Sequence, residues 1–233
     1  MWAALAPQAA LVAACFLEVF SGSGHLARSV AKSPLAGGLV LLWDISFGPQ
    51  YDLRARSRQH LILGWLRAGL IWGVHFGTPC CSFSRARDVP PGPPPLRSDQ
   101  CPMGLPGLVR AADKEAVQSG NTLMLFSVRA LRVCRDMRIP ATLENPARSR
   151  LWLCPAIRGA LKWRLSTLTT TEFCMWGRPW RKPTAFLGVH ADLTSVGARR
   201  CLGAKRGCCA RTGRPHLVLQ GSRSGCSMAH QDC

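Results

Sequence analysis

The sequence predicts an α/β domain, a mostly parallel sheet with helices on both of its faces. Three stretches carry that expectation, each a short apolar run that stops at a tight turn bearing polar or reactive residues. They are Cys15-Phe16-Leu17-Glu18-Val19-Phe20 before Ser21-Gly22-Ser23-Gly24, Trp72-Gly73-Val74-His75-Phe76 before Gly77-Thr78-Pro79-Cys80, and Ala141-Thr142-Leu143 before Glu144-Asn145-Pro146. Apolar runs bounded by turn residues are the pattern of strands buried on both faces. Open α/β sheets keep their ligands at the carboxyl ends of such strands.

Taken in order, residues 1–14 are Ala-rich and predict a short leading helix or a poorly ordered extension. After the first run, Leu26, Ala27 and Val30 recur at helical spacing. Strand, glycine turn and helix together suit a nucleotide-type cofactor, because the glycines allow close backbone approach. The same turn would also serve if it were merely tight. Leu39 to Asp44 reads as a second buried strand with an acid at its tip. Asp44 is placed to bind ribose hydroxyls, or is a helix cap or a solvated acid, and the readings stay level. A helix over Leu53 to Ala68 follows, with Leu61, Trp65 and Leu66 as its apolar stripe and Arg54, Arg56, Arg58 and Arg67 on the remaining surface. It delivers the chain to the strand before Cys80.

From Arg85 to Leu108 the chain is rich in Pro and Gly, with Val89-Pro90-Pro91-Gly92-Pro93-Pro94-Pro95 at its centre. That composition excludes helix or central strand. Arg85, Arg87 and Arg97 flank the prolines, so the loop either closes on a phosphate backbone or is a solvated linker. Gly120-Asn121 is expected to open an amphipathic helix that runs to Met137, and Pro140 ends the connection to the Glu144 strand. A carboxylate at such a strand end is either structurally paired or has a raised pKa and holds a proton for chemistry. Trp152 and Trp163 are expected to pack in the next helical segment, and Thr167 to Phe173 reads as a strand. A basic turn, Gly177 to Thr184, leads to a last strand over Ala185 to Val189.

The composition predicts one core in a monomeric chain: an extension over 1–14, a domain over 15–197 and a basic, Cys-rich tail over 198–233. Thirty Lys and Arg against 12 Asp and Glu leave a formal charge of +18, which favours a polyanionic partner, DNA or RNA before an anionic membrane surface. The 12 cysteines are scattered through apolar runs, and Met1 to Phe16 lacks the basic start of a secretory signal. Reduced thiols in a nuclear or cytoplasmic protein are expected, not a secreted one. No apolar run reaches membrane-spanning length without a Pro, Gly or charge. In the tail, Cys201, Cys208, Cys209 and His216 are of zinc-ligand type, but their spacing matches no standard finger and no metal site is assigned.

The three turns, in this order, resemble the DNA cytosine-5 methyltransferase family. Glu18-Val19-Phe20-Ser21-Gly22-Ser23-Gly24 is similar to its cofactor motif Asp-Leu-Phe-Ala-Gly-x-Gly. Gly77-Thr78-Pro79-Cys80 resembles its Gly-Pro-Pro-Cys nucleophile turn, with Phe83-Ser84 continuing the match. Glu144-Asn145-Pro146 resembles its Glu-Asn-Val, and Gly177 to Thr184 is a loose version of a later basic motif. The resemblance covers about residues 15–190 and implies a Rossmann-like class I S-adenosylmethionine-dependent methyltransferase fold. It implies that Cys80 is the nucleophile, that Glu144 assists at ring nitrogen 3 and that Asn145 holds the local geometry. Phe20, Ser21, Gly22, Gly24, Asp44 and Pro79 would lie against S-adenosylmethionine. Arg85, Arg87, Arg97, Arg178, Arg181 and Lys182 would hold the nucleic acid. The chain departs from the family at His25 and Pro146, and few residues after Val189 remain for target recognition. The second expectation is therefore a degenerate, mobile-element-derived relative that binds nucleic acid by charge alone. A third, an amino-group methyltransferase, lacks the aromatic of the Asp/Asn-Pro-Pro-aromatic tip.

Overall fold

The computed structural model describes residues 15–33, 39–90, 92–203 and 207–217. Segment 1–14, expected as a short helix or a poorly ordered extension, and the end of the basic tail from 218 lie outside these residues. Strand β1 (Cys15–Val19) is buried along its whole length and feeds helix α1 (His25–Ala31) through the glycine turn. Strand β2 (Val40–Trp43), helix α2 (Arg56–Arg67) and strand β3 (Ile71–Phe76) follow. Helix α3 (Ala111–Met137) and strand β4 (Ala141–Pro146) come next, then the short α4 (Pro155–Ala160). Strands β5 (Ser166–Glu172) and β6 (Pro183–Val189) and a last turn of helix, α5 (Thr194–Gly197), complete the domain.

The six strands form one sheet in the order β2-β1-β3-β4-β6-β5. Pairings β1–β2, β1–β3 and β3–β4 are parallel, whereas β6 runs antiparallel to both β4 and β5. The chain steps from β1 outward to β2 and then back across β1 to β3. Right-handed crossovers therefore put α1 on one face and α2 and α3 on the other. The α/β expectation holds in this form: a mixed, mostly parallel sheet between helices. Its strand order reverses between β1 and β3, where such sheets open a crevice at the carboxyl edge.

One apolar core fills the space between the sheet and α2 and α3, with Leu17, Val19, Ile62, Leu66, Phe76, Met124, Phe126, Leu131 and Leu143 all buried. Three local expectations change. Strand β2 is an edge strand with Leu41 and Leu42 exposed, so it is not fully buried. On α2 the inward residues are Gln59, Ile62, Leu63 and Leu66, while Leu61 faces outward. Gln59 is admitted to the core because its amide donates to the Leu53 carbonyl (2.6 Å) and its Oε1 accepts from Arg129.

The third change matters most for the site. Helix α3 starts at Ala111, not at Gly120-Asn121, and its 27 residues span roughly 40 Å. Gly120 sits inside the helix because a Cβ there would lie 2.5 Å from Ser82 Oγ and 3.0 Å from Arg97 Nη2. The glycine lets α3 pass directly against the turn that carries Cys80. Among the described residues, no helix is long and apolar enough to cross a membrane.

Candidate active site at the carboxyl edge

Strands β1, β3 and β4 are neighbours and run the same way, so the turns that follow them share one edge of the sheet. The β1 turn is backbone-rich. Phe20 has φ +59° and Gly22 φ +49°, and the Gly24 amide donates to the Ser21 carbonyl (2.8 Å). A non-glycine residue at positive φ is held there by its surroundings, here by donation from the Phe20 amide to the Trp43 carbonyl (2.8 Å). Ser21 is buried, and its Oγ has no hydrogen-bond partner in the protein. Asp44, at the tip of β2, accepts from the Gly22 amide (2.9 Å) and from Ser46 N–H (2.8 Å). It caps the 3-10 turn Ile45–Phe47, so the cap reading of Asp44 is realised, and the acid is tied to the glycine turn as well.

The β3 turn is pinned from both sides. Gly77 donates its amide to the Val19 carbonyl (3.0 Å), and a Cβ at Gly77 would stand 2.9 Å from the Phe20 carbonyl oxygen. Only a glycine lets these two backbones lie so close. Thr78 Oγ1 is hydrogen-bonded to Ser127 Oγ of α3 (2.9 Å), and the Phe83 amide donates to the Cys80 carbonyl (2.9 Å). Cys80 is thereby held on a closed turn, buried, with Pro79 half-exposed beside it.

The β4 tip reaches across to this turn. Asn145 Nδ2 donates to the Thr78 carbonyl (2.6 Å), and Asn145 is wholly buried. Glu144, only 4% exposed, points to the opposite face because successive strand residues alternate. On that face the sheet carries a polar row, since Glu18 is in register with His75 and His75 with Thr142. His75 Nδ1 is bonded to Thr142 Oγ1 (2.8 Å), and burial holds the imidazole down to about 4, so it is neutral at physiological pH. Burial pushes the Glu18 carboxyl up to about 7, against the opposing pull of the Ala27 amide that it accepts (2.7 Å). Neither Glu18 nor His75 was singled out from the sequence. Both stand inside apolar runs, where a polar residue next to a glycine turn is itself the available signal.

The basic residues divide into two groups. Arg97 is a correction: it is completely buried and cannot meet a phosphate. Its guanidinium donates to Ser82 Oγ (2.9 Å), the Pro102 and Val117 carbonyls (2.7 and 3.0 Å) and Asn121 Oδ1 (2.7 Å), and it lies 3.8 Å over the Phe83 ring. Arg181 also serves the fold, through Glu172 (3.3 Å) and the Cys201 carbonyl (3.5 Å). Arg85 bonds Asp99 (2.6 Å) and the Arg148 carbonyl, and Arg87 bonds the Pro94 carbonyl, but both remain partly exposed. Arg178 is exposed beside Trp180, and Lys182 is half-buried over the Phe173 ring (5.0 Å).

The proline-rich loop is thus strapped down rather than free. Arg97 anchors it from inside. Arg150, absent from the sequence-based candidates, grips Asp88 with two hydrogen bonds (2.9 and 2.8 Å) and Asp99 with a third (3.2 Å). Planar two-point contact of this kind fixes position as well as charge. The chain matches no protein-family model and no curated protein.

Proposed function

We propose that this protein transfers a methyl group from S-adenosylmethionine to carbon 5 of cytosine in DNA, as a Rossmann-like class I methyltransferase with Cys80 as its nucleophile. The observation that carries the reading is the Asn145–Thr78 hydrogen bond, which ties the Glu-Asn-Pro tip of β4 to the Thr-Pro-Cys turn of β3. A thiol, a carboxylic acid and a bare glycine turn at three adjacent parallel strand tips form a set that this chemistry needs and that a purely structural edge does not.

The residues fit the cofactor. Ser21 Oγ is buried with no hydrogen-bond partner in the protein, and Gly22 puts no side chain on the turn, whereas Gly24 is small because a Cβ there would lie 2.5 Å from Leu42 Cδ2. Asp44 uses two of the roughly four acceptor sites of a carboxylate on backbone amides, which leaves capacity for ribose hydroxyls. Phe20 and Pro79 would supply apolar contact. S-adenosylmethionine, when bound, supplies the electrophilic sulfonium methyl that the activated carbon 5 takes up.

Carbon 5 of cytosine is too weak a nucleophile to take that methyl unaided. Cys80, as thiolate, adds to carbon 6, forming a sulfur–carbon bond and shifting the ring electrons toward carbon 5. Glu144 in its protonated form gives a proton or a hydrogen bond to nitrogen 3, which accepts the charge that the addition creates. Asn145 keeps the two strand tips in register through the Thr78 carbonyl. Loss of the carbon-5 proton to solvent water then re-forms the carbon 5–carbon 6 double bond as the sulfur–carbon bond breaks, which returns Cys80 as thiolate. The base must leave the duplex to enter such a pocket, and Arg85, Arg87, Arg178 and Lys182 are the partly exposed cations of the set that can hold the backbone meanwhile.

The test is covalent trapping. Cytosine replaced by 5-fluorocytosine blocks the proton loss, so the Cys80 adduct should persist as a stable protein–DNA complex. Cys80→Ala should abolish it, and Cys81→Ala should leave most of it. Trapping that survives Cys80→Ala overturns the assignment of the nucleophile. A folded, cofactor-binding protein that traps neither DNA nor RNA favours the degenerate relative that binds by charge.

A further inference from the structure

Among the described residues beyond β6 the regular secondary structure is the single turn α5, yet residues 198–203 and 207–217 pack at the end of β5, with Thr171 Oγ1 donating to the Arg199 carbonyl (2.7 Å) and the Cys201 amide to Glu172 (2.9 Å). Cys174 lies in the 3-10 turn Phe173–Trp176 that follows β5, and it is buried with Cys201 and Cys209. Among the described residues Met175 alone joins this cluster, too small an apolar nucleus to fix two irregular loops. The ligand atoms of Cys174, Cys201, Cys209 and His216 all lie within 4.8 Å of one another. We infer that these four side chains form a tetrahedral Cys3His site for a structural zinc ion.

The geometry agrees with that ion. Zinc–sulfur bonds of about 2.3 Å and zinc–nitrogen bonds of about 2.0 Å give a tetrahedron with edges of roughly 3.5–3.8 Å. Cys201 Sγ and His216 Nε2 stand 3.7 Å apart. None of the three thiols is in a disulfide, and an odd number of them cannot all be paired with one another. The sulfurs also receive the donors that a metal-bound thiolate collects: Ala210 N–H points at Cys201 Sγ (3.4 Å), and the amides of Arg211 and Thr212 donate toward Cys209. Such outer contacts orient the ligands of a metal.

The backbone is shaped to deliver the ligands. Gly213 (φ +67°) closes a tight loop by donating to the Cys209 carbonyl (2.8 Å), and the Cys209 amide donates to Arg214 O (2.8 Å). A Cβ at Gly203 would stand 2.7 Å from both Ala210 N and Cys208 O, so the two ligand-bearing loops touch backbone to backbone. Three thiolates and one divalent cation leave a net charge of −1. Arg211 Nε on the Cys174 carbonyl (3.2 Å) and Arg181 on the Cys201 carbonyl (3.5 Å) place cations beside it. Soft sulfur donors with one imidazole select zinc over magnesium or calcium.

The consequence is architectural. His216 is followed by Leu217, whose amide donates to Pro179 O (2.9 Å), so the knot holds the basic turn that leads into β6. Strand β6 in turn pairs with β4, Phe186 opposite Glu144 and Ala185 opposite Asn145. The metal would thus brace the far side of the strand that carries the candidate acid, without belonging to the chemistry. By residue type the sequence offered Cys208 beside Cys201, Cys209 and His216, with no metal site assigned; the fold brings the distant Cys174 to the cluster instead.

The full chain, purified without a metal-affinity step, should contain about one zinc per molecule by elemental analysis. Replacement by cobalt should give tetrahedral ligand-field bands with thiolate charge transfer. Cys209→Ser and Cys174→Ser should weaken zinc binding by at least about tenfold, whereas Cys208→Ser should leave it unchanged. If the ligand variants do not fold, chelator competition and the cobalt spectrum of the unaltered chain still decide. A folded chain without zinc, an octahedral cobalt spectrum, or equal loss in Cys208→Ser overturns the site, and each leaves the methyl-transfer reading untouched.

Discussion

Replacing Arg97 by Ala tests whether this residue belongs to the fold or to the nucleic-acid surface. Its charge has no carboxylate among the partners named above; Ser82, Asn121 and the Val117 and Pro102 carbonyls solvate it instead. Burial holds its pKa down to about 10, so it stays protonated at neutral pH. Truncation strands four acceptors, each costing about 1 kcal/mol or more. It also removes the stack on Phe83, worth about 1–2 kcal/mol, while recovering part of the desolvation cost of the cation. A net loss of about 3–5 kcal/mol follows, which lowers the melting temperature of a chain of this size by roughly 6–20 °C. Differential scanning calorimetry reads that directly. The folded fraction should keep its DNA affinity and salt slope, because each lost phosphate contact would reduce the slope by about 0.9. A variant that melts like the parent while its salt slope drops by one contact would refute the reasoning and return Arg97 to the DNA surface.

Two further outcomes follow from the strand tips. Glu18 titrates at about 7 when folded against 4.5 in its ordinary state. The unfolded chain therefore releases this proton first, and the contribution of Glu18 falls as pH rises from about 4.5 to 7, by up to about 3 kcal/mol. Glu18→Gln keeps an acceptor for the Ala27 amide and should flatten that part of the profile, so that urea melts show it gaining about 2 kcal/mol over the parent between pH 5 and 8. An identical pH profile for both proteins would contradict the assignment. Gly77→Ala puts a methyl 2.9 Å from the Phe20 carbonyl oxygen, a backbone atom that cannot swing away. It should cost about 1–3 kcal/mol and reduce methyl transfer more than tenfold, and an unchanged urea midpoint would show that the two turns are not as close as described.

What was legible in the sequence was local. An apolar run closed by glycine, proline or a polar pair announces a buried strand and its tip, so the ends of β1, β3 and β4 could be read before any contact was known. What was hidden was non-local. The antiparallel insertion of β6 between β4 and β5 depends on pairing, and no short window records it. Gly120-Asn121 looked like a helix start because both residues are poor helix formers. The glycine is there to clear Ser82, and Asn121 to bind Arg97 and the Met103 carbonyl (2.8 Å). Arg97 looked exposed because it follows a run of prolines, and only tertiary packing buries it. Of the four proposed zinc ligands Cys174 escaped for the same reason, since it follows β5 whereas Cys201, Cys209 and His216 lie in the tail.

The charge of the chain takes a sharper meaning from these placements. Many of the 12 acids are already spoken for: Asp88 and Asp99 by Arg150 and Arg85, Asp52 by Arg54, Asp113 by Arg110, Asp136 by Arg135 and Glu172 by Arg181 and Arg200. Such pairs fix loops and add little to long-range attraction, because each cancels itself within a few ångströms. The formal surplus of +18 must then come from cations outside these pairs, and among the described Lys and Arg side chains only Arg97 and Arg150 are buried. An excess of one sign on so small a surface repels itself and lowers the stability of the bare protein. A polyanion relieves that repulsion as it binds, whatever its sequence. The proposed nucleic-acid substrate would accordingly be gathered by the whole surface and discriminated only at the strand tips, where Cys80 and Glu144 would meet a single base and Asn145 would hold their two turns together.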